Sequence, residues 1–546
     1  MGLMVKVYQD GLRDGETRHS ELVQAAEMLW RIGQEVLTTE VLSGSVLDRN
    51  GVAAGEWSVT AAINAIIVAP TGNDANPGTV LQPVATLERA RTLVRGSVVT
   101  QTVYLRAGTY LRTSTFVLTA ADSGQTWAIY PNDVVGSAIL DYSGQLFTGL
   151  FSGLGTPNGC AVMIQGSSNF TWNGITIQNF PAIGLLAYYG NAGSLFGFMT
   201  NVATGSNLTV KNCSFINGGY GAFPPWYPSN DGQNVASPGL GIFSTEVPAI
   251  WLQGGTNNGT DLNNGLITNN YIFKHPATPV TLNAVVATVQ NNYIQATNSA
   301  AFDTGCIYNV NTTGCTVKFN YVRDGKTASA RSPNASGNSD RDIRAIYCDT
   351  GTHNITVQFN IIAGHAADGA GTSPSFDDTF KGFMFGNASN SNQNFSYNIM
   401  DMGASPNVLV QNASTGSGNS FVGNIIISNF AGNPSSPFFG SWFLTWSFGS
   451  STPSSFSCGP NAYHNYGGGS IYTTGTGSPV VNDSNPQAVD PKISGWTYNI
   501  DPTSPVFSSP LNWPALPSNW GQPGFWGPSG FNIPQTGTDS VPSCPH

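Results

Sequence analysis

The sequence predicts an all-β chain built as a solenoid of stacked parallel strands, and three observations predict it. Only 9% of the 546 residues are charged, while Gly reaches 64 and Pro 33; that leaves too few Glu, Lys and Arg to coat exposed helix faces. With 40% hydrophobic and 11% aromatic residues, the chain has too much to bury for a disordered polymer. The third observation is a phrase that recurs in one order from about residue 68 to 430: three alternating apolar positions, then Asn or Gly, then two or three more apolar positions.

The phrase turns at Gly174, Asn212, Asn270, Asn292, Asn320, Asn360, Asn398 and Asn424, with separations of 38, 58, 22, 28, 40, 38 and 26 residues. These are one or two coil lengths plus variable loops. A β-sandwich would instead show hairpin signals every 8–12 residues. A regular Asn where the backbone leaves each strand suits a solenoid, because stacked side-chain amides can bond up and down the stack.

Three segments follow. Residues 1–66 hold most of the glutamates, and Ser20 to Leu37 reads as an amphipathic helix with Leu22, Ala26, Leu29, Gly33 and Leu37 on one stripe. It suits a short oligomeric bundle or a helix packed on its own chain. Residues 67–430 form the solenoid, and residues 431–546 a loop-rich segment that closes it. The N-terminus shows no Sec-type signal and no apolar run reaches 18 residues, so no membrane insertion is expected. A net charge of −10 argues against nucleic acid as partner, whereas an extended polysaccharide would suit the chain. The seven cysteines form no zinc-binding spacing; no cofactor or metal is expected. Free buried thiols are expected instead, with Cys458 and Cys544 the one pair considered for a disulfide.

Two stretches carry a family likeness. Ile67-Val-Ala-Pro-Thr-Gly-Asn73-Asp74-Ala-Asn-Pro77-Gly78, followed by Pro83-Val-Ala-Thr86-Leu-Glu-Arg-Ala-Arg91, resembles the opening strand, acidic loop and capping helix of right-handed parallel β-helix proteins of the pectate-lyase-like and glycosidase type. Asp490-Pro-Lys, Ser504-Pro505 and Trp520-Gly-Gln-Pro-Gly-Phe-Trp-Gly-Pro look like the tail of β-helix glycoside hydrolases. A β-helix with a short helical N-terminal segment also resembles bacteriophage tailspikes. That likeness implies a homotrimer assembled in the host cytoplasm, bound to virion tail or capsid proteins through its N-terminal segment and degrading a bacterial surface polysaccharide. Export by a non-Sec route is the alternative location.

Charge location points to the chemistry. Between Asp303 and Lys381 stand 15 charged residues in 79, a dense cluster in a charge-poor chain and hence a candidate for acid/base work. Glu246-Val-Pro-Ala-Ile-Trp251, Asp303-Thr-Gly-Cys-Ile-Tyr308 and Asp342-Ile-Arg-Ala-Ile-Tyr347 share one register, so the three acids should line one edge. Asp303 and Asp342 are expected on neighbouring coils about 4.8 Å apart, with the Val280-Thr-Leu coil intervening before Glu246. Asp378 falls within one residue of the same row.

Carboxylates that close cannot both ionise freely, and about 5 Å is the separation used by retaining glycosidases. Asp349 is a catalytic candidate or a turn residue. Arg323, Arg331, Arg341 and Arg344 are candidates to orient hydroxyl or acidic groups. Trp251, Tyr308 and Tyr347, spaced regularly after the acids, are either a sugar-binding platform or rings stacked inside the coil. Trp226, in a Pro-Pro loop, is a further exposed platform. The expected reaction is glycoside hydrolysis; β-elimination on a uronic acid polymer, or a non-catalytic receptor-binding spike, are the alternatives.

Overall fold

The computed structural model describes residues 2–7, 43–47, 53–60, 65–98, 101–145, 159–190, 202–219, 248–255, 261–275, 278–295, 304–323, 343–363, 380–385, 390–401, 410–412, 416–428, 456–466 and 483–533. From Ala65 onward nearly all strands pair in parallel, in three long sheets of nine, twelve and twelve strands. The nine-stranded sheet is sheet 1 below, and the other two are sheets 2 and 3. One coil contributes Thr304–Val310 to sheet 1, Thr316–Lys318 to sheet 2 and Tyr321–Arg323 to sheet 3; the next contributes Ile343–Cys348, Thr356–Gln358 and Ile361–Ala363. This is a parallel β-helix, as the repeated phrase predicts.

The turn from sheet 2 to sheet 3 shows why the phrase carries Asn. Asn270, Asn292, Asn320, Asn360, Asn398, Asn424 and Asn461 are fully buried. In each of the first six, the backbone N–H and the side-chain amide both donate to Oδ1 of the next, at 2.8–3.2 Å. The amide's other hydrogen reaches a strand carbonyl such as Val289 O or Val317 O. Buried polar groups are thereby satisfied without ions. At one end Cys213 N–H donates to Asn270 Oδ1, and at the other Asp483 Oδ2 accepts from Asn461 and from the Tyr463 hydroxyl.

The register differs by one residue in the first coils. Gly174 and Asn212 occupy the position before the ladder, with φ of 74° and 55°, as do Asn269, Asn291, Phe319, Phe359, Tyr397 and Gly423. Left-handed backbone also selects Gly and Asn, so two adjacent corner positions favour the same residue types for different reasons.

The first coil is capped by the helix Leu87–Arg95, whose Leu87, Ala90 and Val94 join the core. Thr86 caps it, and Asp74 braces that cap by accepting from the N–H groups of Ala85 and Thr86 and from the Thr86 hydroxyl. Burial pushes the Asp74 carboxyl up, but these hydrogen bonds outweigh it and hold it below the ordinary value. The acidic loop is thus a structural brace. In the N-terminal segment, the described residues are strands: Gly2–Val7 and Ser43–Leu47 flank Ala53–Thr60 in an antiparallel sheet. The expected helix Ser20–Leu37 lies outside the described residues.

The coils continue past residue 430, through Phe456–Cys458, Ala462–Asn465 and Gln487–Ala488. The tail beyond them runs back along the outer face of sheet 3. Ile493, Tyr498, Trp513, Trp520, Phe525 and Trp526 bury there with Tyr293, Tyr321, Ile361 and Ile399. Tyr498 donates to Asp401 at 2.6 Å, the Trp513 indole donates to Gly423 O, and Gly527 N–H donates to Asn291 O at 2.9 Å. Cys160, Cys213, Cys306, Cys315, Cys348 and Cys458 are buried free thiols; Cys544 lies outside the described residues.

Candidate active site on sheet 1

Strand alternation sorts sheet 1 into two faces. Ile164, Leu185, Ile250, Val280, Ile307 and Ile346 join the interior core, whereas Met163, Leu186, Trp251, Thr281, Tyr308 and Tyr347 do not. These last six are successive cross-strand partners, so they form one row on the outer face. The expected register therefore holds, with Val280-Thr281-Leu282 between the Ile250 and Ile307 coils. Trp251, Tyr308 and Tyr347 are outside the coil, which removes the reading of rings stacked within it. They are nonetheless covered, at 3%, 8% and 3% exposure.

Around this row the chemistry gathers on two coils. The rings of Tyr308 and Tyr347 meet edge to face at 5.1 Å, and the Arg344 guanidinium lies 4.5 Å from the centre of the Tyr347 ring, a cation–π geometry. The Tyr308 hydroxyl donates to Asp349 Oδ2 at 2.6 Å. Asp349 Oδ1 accepts from the Thr350 N–H at 2.7 Å and from its hydroxyl at 3.2 Å. Every group bonded to this carboxylate is a donor, so it serves as an acceptor on the outer face. Asp349 therefore stands in a turn and also belongs to the row's polar end.

Other expected residues are dispersed. Arg323 lies on sheet 3, only 2% exposed, with its guanidinium 4.7 Å from the Trp496 ring under the tail. It does not share a face with Arg344, because a coil changes sheet between the two positions. Glu246, Asp303, Asp342, Asp378, Arg331, Arg341 and Trp226 lie outside the described residues. The residues that follow Asp303 and Asp342, Thr304 and Ile343, are direct cross-strand partners, and Phe380 pairs with Ile343 on the next coil. His353 Nδ1 is 2.9 Å from the Ser391 hydroxyl at the corner between sheets 1 and 2.

The sequence reading missed the bond between Tyr308 and Asp349. The signal was present: Asp349 is two residues beyond Tyr347, hence on the same face, and Tyr347 pairs with Tyr308. No group of three or more His, Cys, Asp or Glu side chains is placed to hold a metal ion among the described residues. No helix among them is long and apolar enough to cross a membrane.

No family model matches the sequence, and no curated protein matches it. Among solved structures the chain is similar to a GH136 lacto-N-biosidase from Eubacterium ramulus, with TM-score 0.45, 12% identity and coverage of 78% of this chain and 66% of that one. It is also similar to a rhamnogalacturonan lyase, with TM-score 0.29, 12% identity and coverage of 78% and 86%. A third similar structure is the Streptococcus pneumoniae surface protein and adhesin PfbA, with TM-score 0.28, 14% identity and coverage of 71% and 95%. At such TM-scores and identities the likeness carries no argument about activity, which has to be argued from this chain's own residues.

Proposed function

We propose that this protein binds a bacterial surface polysaccharide at the outer face of sheet 1 and cleaves it by glycoside hydrolysis. The observation that carries the reading is the pairing of Thr304 with Ile343, each directly preceded by an aspartate. Neighbouring strands stand about 4.8 Å apart, and in this proposal Asp303 and Asp342 act as the pair of which one carboxyl group donates a proton and the other attacks or activates water. Asp349, held as an acceptor, supplies a third carboxylate, and Glu246 and Asp378 are further candidates by their sequence register. Tyr308 and Tyr347 are buried, so in this reading they form the packed floor beside Asp349 rather than open sugar contacts.

Incubation of the purified protein with a panel of bacterial surface polysaccharides, read by new reducing ends, tests this. Asp342→Asn and Asp303→Asn should each lower the rate by on the order of a hundredfold or more. Variants as fast as the parent would overturn the assignment. Products absorbing in the ultraviolet would make the reaction an elimination instead, with Arg344 neutralising the uronate carboxyl group. Attachment to a virion as a homotrimer through residues 1–66 belongs to the same proposal, and a monomer in sedimentation would remove it.

A further inference from the structure

We infer that Tyr308 is a positioning residue for Asp349, fixing the direction in which that carboxylate meets the glycan; this rests on the reading of sheet 1 as the cleaving face. In the turn after Ile343–Cys348 the Asp349 backbone carbonyl accepts from the Thr352 hydroxyl at 2.9 Å and from the Asn390 amide at 2.8 Å, so the turn is closed by main-chain as well as side-chain bonds. On the preceding coils the same row holds Gln165, Tyr188, Gln253, Asn283 and Val310, none of them acidic. An acid here is therefore additional to what the coil requires.

Both carboxylate oxygens are held. Thr350 binds Oδ1 from within the turn, and Tyr308 binds Oδ2 from the neighbouring coil. The two bonds come from different coils, which removes rotation about the bond to the carboxyl group. Each carboxylate oxygen can accept twice, so Oδ2 keeps a place for a donor from a bound ligand. Tyr308 is itself immobilised, because its ring is 8% exposed and packs edge to face on Tyr347, over which Arg344 lies. An aligned carboxylate contributes to catalysis through geometry, and small misplacements are expensive in rate.

Tyr308→Phe removes one O–H and keeps the ring. With whichever glycan of the polysaccharide panel is cleaved as substrate, it should lower kcat by on the order of tenfold to a hundredfold and leave KM within about twofold. In an Asp349→Asn background the same change should alter kcat by less than about twofold, because the group being positioned has lost its function. Tyr498→Phe, which removes an equally short bond to a carboxylate under the tail, should leave kcat unchanged. A crystal structure of Tyr308→Phe should show the Asp349 carboxylate turned from its parental orientation.

An unmoved carboxylate, or a Tyr308→Phe effect that persists in the Asp349→Asn background, would overturn the inference. A parent inactive on every glycan would overturn the proposed function alone, and the crystal structure would still decide the positioning role.

Discussion

Two tyrosine–carboxylate pairs of equal length occupy different sides of the helix. Tyr308 reaches Asp349 between adjacent coils of sheet 1, and Tyr498 reaches Asp401 between the returning tail and sheet 3, both at 2.6 Å. The second is the more buried: Tyr498 is 2% exposed and Asp401 6%, with the Tyr321 ring against Tyr498 and Trp526 against Tyr321. Burial raises the Tyr498 hydroxyl's pKa, the Asp401 anion and Tyr321 add to this, and Arg323 opposes it. Tyr498 joins segments 97 residues apart and fastens the tail. Tyr308 joins coils that the sheet already holds in register, so its bond adds orientation more than cohesion. One hydrogen-bond chemistry therefore serves attachment in one place and alignment in the other.

Breaking the attachment should have the largest effect on stability. Trp526→Ala removes a side chain 2% exposed and should cost about 3–5 kcal/mol, read as a fall in thermal midpoint. Asn320→Ala strikes the ladder between sheets 2 and 3 and removes the oxygen that accepts from both the N–H and the side-chain amide of Asn292. That change should cost about 3 kcal/mol, measured by denaturant unfolding.

Tyr498→Phe should cost about 2 kcal/mol by leaving Asp401 short of its donor. It carries a pH signature as well. A tyrosine whose folded pKa lies above its unfolded value of about 10 gives stability that is complete below that value and is lost as pH rises toward the folded one. The parent should therefore lose stability above about pH 10 more steeply than Tyr498→Phe; equal slopes would break the contrast. The smallest stability effect should come from Tyr308→Phe, at about 0.5–1 kcal/mol. A loss as large as that of Tyr498→Phe would mean that Tyr308 is a fastening too.

Much of this is legible in the sequence. The Asn phrase announced the ladder, and the Glu246, Asp303 and Asp342 phrases announced the register that Ile250, Val280, Ile307 and Ile346 adopt. The segment from Pro83 to Arg91 announced a capping helix, found at Leu87–Arg95. What differs has two causes. Arg323 and Arg344 look like members of one basic cluster, but three consecutive strands point toward three different sides, so proximity in sequence says little about which face a residue occupies. Gly174 and Asn212 fit the phrase but stand one position before the ladder, because left-handed backbone selects Gly and Asn while ladder bonding selects Asn.

The sequence by itself determined the repeating coil, because strand alternation and corner residues are local: inward Ile and Val, a left-handed residue, then a buried Asn. Only the tertiary structure decided which outer face is covered and by what. Trp513, Trp520, Phe525 and Trp526 are apolar residues in irregular chain, and nothing in their spacing selects sheet 3. They find it because Phe319, Phe359 and Tyr397, stacked at successive corners, present a surface that the Trp513 and Trp520 rings meet edge-on. That surface exists only after the coils have stacked, which is why the tail's path, and with it the separation of the fastening side from the candidate catalytic side, could not be read from the chain alone.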